Sequence, residues 1–296
     1  MRWWVRGEIV MKVSESYIDW VVSLALDEDI GSGDITTIAL EPGDDIWEAE
    51  LIFKSDRGVL CGSRFFERAF QLLDVDAGFE WQFEDGDLIE GRSNVCRVRA
   101  MADTILTAER VALNFICHLS GIATNTRRYV DATKGKVRVL DTRKTTPLLR
   151  LAEKYAVRVG GGSNHRLGLY DGVLIKDNHI KIAGSVSRAV GLARKNSHHL
   201  LKIEVEVCDL KQVEEALSVN ADVIMLDNFT EDEIARAVEI IGGRAGVELS
   251  GGVNLDNISR YADIGADYIS IGALVHHATW VDFSLEVSGR VDIADN

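Results

Sequence analysis

The sequence predicts an α/β fold: a seven-stranded, incomplete parallel α/β barrel behind an N-terminal α+β domain. One observation is a series of short apolar runs that end in charged residues or a Gly pair. They are V-R-V-L-D-T-R-K-T (137–145), V-L-I-K-D-N-H (173–179), I-E-V-E-V (203–207), V-I-M-L-D-N (223–228), V-E-L-S-G-G (247–252) and Y-I-S-I-G-A (268–273). An apolar run that stops at polar residues is the mark of a buried parallel strand emerging at the C-terminal rim of a sheet. A second observation is that helical spacing fills the gaps, at 147–156, 184–195, 209–219, 230–241 and 254–264. Reading V-R-V-G (157–160) as a further short strand brings the count to seven. The third is that the material before residue 120 lacks this alternation.

In chain order, residues 14–28 carry Ile18, Val21, Val22 and Ala25 at helical spacing, with Ser14 or Ser16 as N-cap. That helix stops at I-G-S-G-D (30–34). Strands are expected at 47–54, 57–61, 78–83 and 94–100, a helix at 63–74, and a turn at the D-G-D of 85–87. The strongest helix runs 102–119 and is expected to end at Ser120-Gly121, with a second helix at 122–133. The expected division is 1–119 for the first domain and 120–280 for the barrel. The tail 281–296 has no strand to add to the barrel and is expected to pack back on the first domain.

Composition is that of an ordinary globular protein: 46% apolar and 27% charged residues over 296 positions. The net charge of −14 argues against general nucleic-acid or acidic-membrane binding. It hides a local reversal. Residues 127–176 hold 12 Lys/Arg and 4 Asp/Glu, so this window is +8 and the remainder −22. Such an island suits a small anion. The cysteines (Cys61, Cys96, Cys117, Cys208) are scattered and read as reduced, mostly packed thiols. No run approaches the ~18 apolar residues of a membrane span, and M-R-W-W-V-R-G-E lacks the core of a signal peptide. A cytoplasmic protein is expected, with residues 1–10 a poorly ordered extension and Met11 able to begin the fold.

The candidate chemistry sits at the ends of the runs. D-T-R-K-T (141–145) places adjacent cations where the chain turns at the rim. G-G-G-S-N-H-R (160–166) joins a permissive backbone to His165 and Arg166, whose fork matches a carboxylate. Lys176 follows three apolar residues and suits a Schiff-base lysine, a base or an anion ligand equally. Glu204 and Glu206 are two apart and share a face, and a structural ion pair of Glu204 with a barrel lysine is as good a reading as direct function. Asp227, ending the next strand, can join Glu206 in holding Mg²⁺ bridged to a phosphorylated substrate. S-G-G (250–252) and I-G-A (271–273) lie where barrels cradle phosphate. Arg110 reads as a surface charge, and His276 and His277 show no ligand spacing.

Together, E-D-I-G-S-G-D-I-T-T (28–37), E-R-V-A-L-N-F (109–115), L-S-G-I-A-T (119–124), D-T-R-K-T-T-P (141–147), G-G-G-S-N-H-R, K-D-N-H (176–179), E-V-E-V (204–207), M-L-D-N (225–228) and S-G-G-V (250–253) resemble the quinolinate phosphoribosyltransferase family over residues 27–285. The resemblance implies an N-terminal sandwich domain with a seven-stranded barrel. It implies transfer of phosphoribosyl from phosphoribosyl pyrophosphate to quinolinate, with Mg²⁺, giving nicotinate mononucleotide, pyrophosphate and CO₂. It places the quinolinate carboxylates among Arg143, His165, Arg166 and Lys176, with Thr142 beside them, and Lys144 near both substrates. It puts Glu206 and Asp227 near the ribose and metal, and the 5′-phosphate at Ser250, Gly251, Gly272 and Ala273. It also reverses the reading of Arg110, which enters the neighbouring subunit's site. A homodimer with shared active sites follows, and a hexamer is left open.

Three other readings compete. One is a paralogue that takes nicotinate or another aromatic acid. Another is a barrel isomerase or lyase using Lys176. The last is a non-catalytic phosphosugar-binding protein. The number of cations favours a dicarboxylate acceptor over the first, and the presence of Lys144, Lys176 and Glu206 argues against the last.

Overall fold

A computed structural model describes residues 12–43 and 45–291. The expectations for residues 1–10 and Met11 lie outside the described residues. The elements in chain order are α1 (Glu15–Ile30), α2 (Ile35–Leu40), β1 (Ile46–Phe53), β2 (Arg57–Val59), α3 (Ser63–Gln71), β3 (Gly78–Trp81), β4 (Leu88–Glu90), β5 (Ser93–Met101) and α4 (Ala102–Thr133). They continue with β6 (Arg138–Leu140), α5 (Arg150–Val159), β7 (Val173–Ile175), α6 (Asp177–Ala183), α7 (Val186–Asn196), β8 (Ile203–Val207), α8 (Leu210–Ser218), β9 (Val223–Asp227) and α9 (Glu231–Ile241). The last are β10 (Gly246–Ser250), α10 (Ile258–Tyr261), β11 (Tyr268–Ser270), α11 (Ala273–His276) and β12 (Phe283–Arg290). Among the described residues no helix is long and apolar enough to cross a membrane.

The chain forms two compact units. One gathers residues up to Asn125, Thr146–Gly160 and the chain from Ala278; the other holds Thr126–Thr145 and Gly161–His277. In the first, an antiparallel sheet has the order β12-β1-β5-β3, and β2 pairs with β4. Within the tail, Phe283–Arg290 form the edge strand β12, paired along β1. Ala49, Leu51 and Phe53 of β1 alternate into the core, as half-buried strand residues do. From α3, Phe65, Phe66, Ala69 and Phe70 are buried, and Phe66 and Phe70 meet Phe79 edge-on. Ser14 caps α1. The I-G-S-G-D segment ends α1 and lets Asp34 cap α2, a helix the apolar spacing did not reveal. Three hydrogen bonds to Asp34, from the Thr37 N–H, the Thr37 hydroxyl and the Thr107 hydroxyl, lower its carboxyl below the ordinary range.

The expected break at Ser120-Gly121 does not occur; α4 is one helix of 32 residues. Both residues serve packing. Ser120 Oγ is buried, accepts from the Cys61 N–H at 2.9 Å and donates to the Cys61 carbonyl at 3.1 Å. A Cβ on Gly121 would lie 2.3 Å from the Thr279 carbonyl oxygen. The missing side chain makes room for that chain rather than ending a helix.

The second unit has a six-stranded parallel sheet in the order β6-β11-β10-β9-β8-β7. From β7 to β11 each strand lies beside its sequence neighbour, and β6 pairs with β11, so that the first strand meets the last as in a barrel. The seventh strand differs from expectation. V-R-V-G completes α5, with Ala152, Ala156, Val157 and Val159 buried; two valines two apart are too short a run to separate strand from helix. The strand position beside β6 is filled by Ser163 alone, which bridges Leu140. The barrel is therefore open between that segment and β7. The helix expected at 254–264 shortens to α10, and α6 is additional.

Register assigns the faces, since paired residues point to the same side. Glu204 pairs Val223, Glu206 pairs Met225, Glu248 pairs Met225, and Ser250 pairs Asp227. The other face presents Val205, Val207, Ile224, Leu226, Val247 and Leu249, all buried. The helices that follow each strand cover this apolar face, so the carboxylates point to the barrel interior and its mouth.

Candidate active site

The C-terminal ends of six strands bring the candidate residues of the barrel unit to one rim. Lys176 follows β7, Glu206 is the penultimate residue of β8, Asp227 and Ser250 end β9 and β10, and Gly272 follows β11. Lys176 Nζ donates to Glu206 Oε2 at 2.5 Å. Lys176 is exposed and Glu206 half-buried, so the pair bounds the mouth. The Lys176 N–H is capped by His179 Nδ1 at 2.9 Å, which fixes the strand end as α6 begins.

Asp227 Oδ2 accepts from Asn228 Nδ2 at 2.8 Å, and the Asn228 N–H donates to the Ser250 carbonyl at 3.0 Å. Gly251 has φ +90°. A Cβ there would lie 2.2 Å from Asn228 Oδ1. Only glycine lets the chain after β10 fold this closely over Asn228. At the next rim position a Cβ on Gly272 would lie 2.8 Å from Lys144 Cδ and 2.9 Å from His276 Nε2. Gly272 thus seats Lys144 and His276 side by side. Burial, then the charges of His277 and Lys144, lower the His276 imidazole from its ordinary value. Thr142 Oγ1 accepts from the Lys144 N–H at 3.0 Å and holds the turn that presents both Arg143 and Lys144.

The G-G-G-S-N-H-R loop is tied to β6. Asp141 is fully buried and accepts from the His165 N–H at 2.9 Å and from Asn164 Nδ2 at 2.6 Å. Arg166 Nη1 donates to the Gly172 carbonyl at 3.0 Å, while its Nε is buried without a partner. Burial, then the Arg143 charge, pulls the Arg166 guanidinium below its ordinary value; Glu204 and Asp171 oppose this. Two crowded guanidiniums with an unspent donor favour an incoming anion. His165 turns its ring inward, with Nε2 3.0 Å from Glu204 Oε2. The partner of Glu204 is thus a histidine, not a barrel lysine. Arg110 is exposed on α4, in the other unit. The metal-compatible triple among the described residues is His165, Glu204 and Glu248, one layer below the expected pair Glu206 and Asp227.

This geometry coincides with a family assignment. The sequence description "Quinolinate phosphoribosyl transferase, C-terminal domain" matches residues 122–286, and its N-terminal counterpart matches 34–120. The chain belongs to the quinolinate phosphoribosyltransferase family. It is 41% identical over 262 residues to a probable carboxylating nicotinate-nucleotide pyrophosphorylase of Bacillus subtilis, covering 88% of this chain and 90% of that one. It is 41% identical over 273 residues to the carboxylating nicotinate-nucleotide pyrophosphorylase of Mycobacterium leprae, covering 89% and 94%. The crystal structure of NadC from Streptococcus pyogenes superposes with a TM-score of 0.91 at 42% identity, covering 94% and 99%.

For this quinolinate phosphoribosyltransferase, sequence reasoning missed four residues that the geometry brings to the site or beneath it: Asp141, Asn228, Glu248 and His276. Glu248 had a readable signal. V-E-L-S repeats the alternation of I-E-V-E, so Glu248 shares a face with Ser250 as Glu204 does with Glu206. His276 had none, because its place depends on the turn after β11.

Proposed function

We propose that the protein transfers the phosphoribosyl group of phosphoribosyl pyrophosphate to quinolinate, with decarboxylation, in pyridine-nucleotide synthesis. The observation that carries this reading is the rim itself. Arg143, Lys144, Arg166 and Lys176 supply four cations to a mouth whose carboxylates are Glu206 and Asp227. Quinolinate is a dianion, and two carboxylates need more fixed cations than one.

The ring nitrogen attacks C1 of the ribose as the bond to pyrophosphate breaks. Positive charge develops on the sugar, and Glu206 stabilises it. The nitrogen that has gained ribose is cationic. The adjacent C2 carboxylate then leaves as CO₂, its electron pair stays on C2 beside that cation, and C2 takes up a proton. Arg143 and Arg166, with Lys176, hold the acceptor carboxylates. The backbone around Ser250, Gly251, Gly272 and Ala273 takes the 5′-phosphate, and Lys144 lies between the two substrates. Positioning two anions that repel in water supplies much of the rate.

Mg²⁺ is the metal this donor set suits. Two carboxylates at adjacent strand ends, one already shared with Lys176, resemble sites that hold Mg²⁺ through one or two carboxylates and substrate phosphates. When bound there, it would neutralise the pyrophosphate that leaves. We place Arg110 in a neighbouring subunit's site, which makes the working unit a homodimer in the cytoplasm. Its exposure on α4 supports that role.

Acceptor choice tests the reading. With phosphoribosyl pyrophosphate and Mg²⁺, quinolinate is expected to give nucleotide and nicotinate none. Product from nicotinate alone would replace quinolinate as the substrate. Activity regained on mixing inactive Arg110→Ala and Lys176→Ala variants is expected; no recovery in verified hybrids would remove Arg110 from a shared site.

A further inference from the structure

Asn228 ties two strand ends of the rim together. β9 ends at Asp227 and β10 at Ser250, and these two residues pair in register. The Asn228 N–H then donates to the Ser250 carbonyl at 3.0 Å, which carries the pairing one residue beyond the strands. The Asn228 backbone has φ +58°, in the left-handed region that Asn adopts more readily than most side chains. Phe229, next in the chain, is buried, and Thr230 caps α9. The turn is therefore anchored on both sides of Asn228.

The side chain engages the same two strand ends. Asn228 Nδ2 donates to Asp227 Oδ2 at 2.8 Å. A carboxylate only accepts, so the amide nitrogen must face it, and Oδ1 faces the chain after β10. A Cβ on Gly251 would collide with that Oδ1. The glycine hydrogen that takes its place points at the amide oxygen instead. Tolerance of a positive φ accounts for an Asn at an exposed turn. It does not account for an amide whose two ends both meet rim residues.

We propose that Asn228 is a positioning residue that locks the Asp227 carboxylate to the Ser250–Gly251 turn. The group that meets the ribose and the backbone that takes the 5′-phosphate are then set as one unit. Ribose and 5′-phosphate belong to one molecule of fixed reach, so a site whose two ends drift apart loses affinity for all of it. The acceptor, held by cations on other segments, is insensitive to that drift. The subsite assignment rests on the phosphoribosyl reading; the link between the strand ends does not.

The test has two readouts. Asn228→Gly removes the amide and keeps the positive φ accessible. It is expected to raise KM for phosphoribosyl pyrophosphate about tenfold, with KM for quinolinate changed less than about twofold. Equal rises in both KM values, or an unchanged KM for phosphoribosyl pyrophosphate, overturn the positioning role. The second readout needs no substrate. Thermal melts are expected to show that Gly251→Ala loses less stability in the Asn228→Gly background than in the wild type, because the amide it collides with is gone. Equal losses in the two backgrounds overturn the link. If the wild type itself neither binds phosphoribosyl pyrophosphate nor makes product, the phosphoribosyl reading fails and the positioning role with it, and the melts still decide the link.

Discussion

Lys176 Nζ and Glu206 Oε2 meet at 2.5 Å across the ends of β7 and β8. The pair balances charge at the mouth before any substrate arrives. On the proposed function each partner has a separate task, the lysine at the acceptor carboxylates and the glutamate at the sugar. Glu206→Gln is expected to lower kcat about 10²-fold while changing KM for quinolinate little, as removal of one electrostatic stabiliser does. Steady-state kinetics with both substrates checks this, and unchanged kcat would reject the role.

The two rim glycines should respond differently. Gly251→Ala sets a Cβ at φ +90° against Asn228, including its backbone nitrogen at 3.1 Å. About 1–3 kcal/mol of stability is expected to be lost with activity. Gly272 has φ −65° and its Cβ would meet only flexible side chains, Lys144 and His276. Gly272→Ala is expected to cost under about 1 kcal/mol and to lower turnover about tenfold by displacing Lys144. Thermal melts beside kinetics separate the two; matched stability losses would contradict the difference.

Glu248 imposes a pH dependence on stability. Burial, then the Glu204 charge, pushes its folded carboxyl up to about 8 from an ordinary 4.5. Below the ordinary value both states hold the proton. As pH rises from there toward 8, the unfolded chain loses it first and folding must take one up, so the group's contribution falls. The melting temperature of Glu248→Gln relative to wild type is therefore expected to climb between about pH 5 and 8 and level off above. A constant difference across that window would mean that Glu248 ionises normally. Glu204, His165 and Ser270 are the groups that face it.

Ser120 and Gly121 test the continuity of α4. Ser120→Ala leaves the Cys61 N–H and carbonyl without their partner, which is expected to cost about 1–3 kcal/mol. Gly121→Ala is expected to cost at least as much, because its Cβ meets a backbone carbonyl that cannot rotate aside. Denaturant melts give both numbers, and a neutral Gly121→Ala would show that the Thr279 segment can move.

Much of this was legible because a barrel interior reverses the usual rule. I-E-V-E-V could only be a strand with buried valines outward and glutamates inward if helices covered the apolar side. The rim then followed from where each apolar run stopped. What remained hidden depended on distant partners. Ser120-Gly121 looks like a helix end until the Thr279 carbonyl is seen to need the space. V-R-V-G looks like a strand because two valines two apart match the strand period, and both are core in a helix only because α5 is buried on several sides. The inward turn of His165 is set by a hydrogen bond to the next residue's N–H, which leaves no pattern in the sequence.

The claim that the strand-end cations serve a dicarboxylate acceptor is tested most directly by quinolinate labelled in its C2 carboxyl. The measurement is labelled CO₂ released against nucleotide formed, with phosphoribosyl pyrophosphate in excess. One CO₂ per nucleotide, with none when phosphoribosyl pyrophosphate is withheld, is the expected result. Nucleotide that retains the label, or no nucleotide from folded protein that still binds phosphoribosyl pyrophosphate, would contradict it.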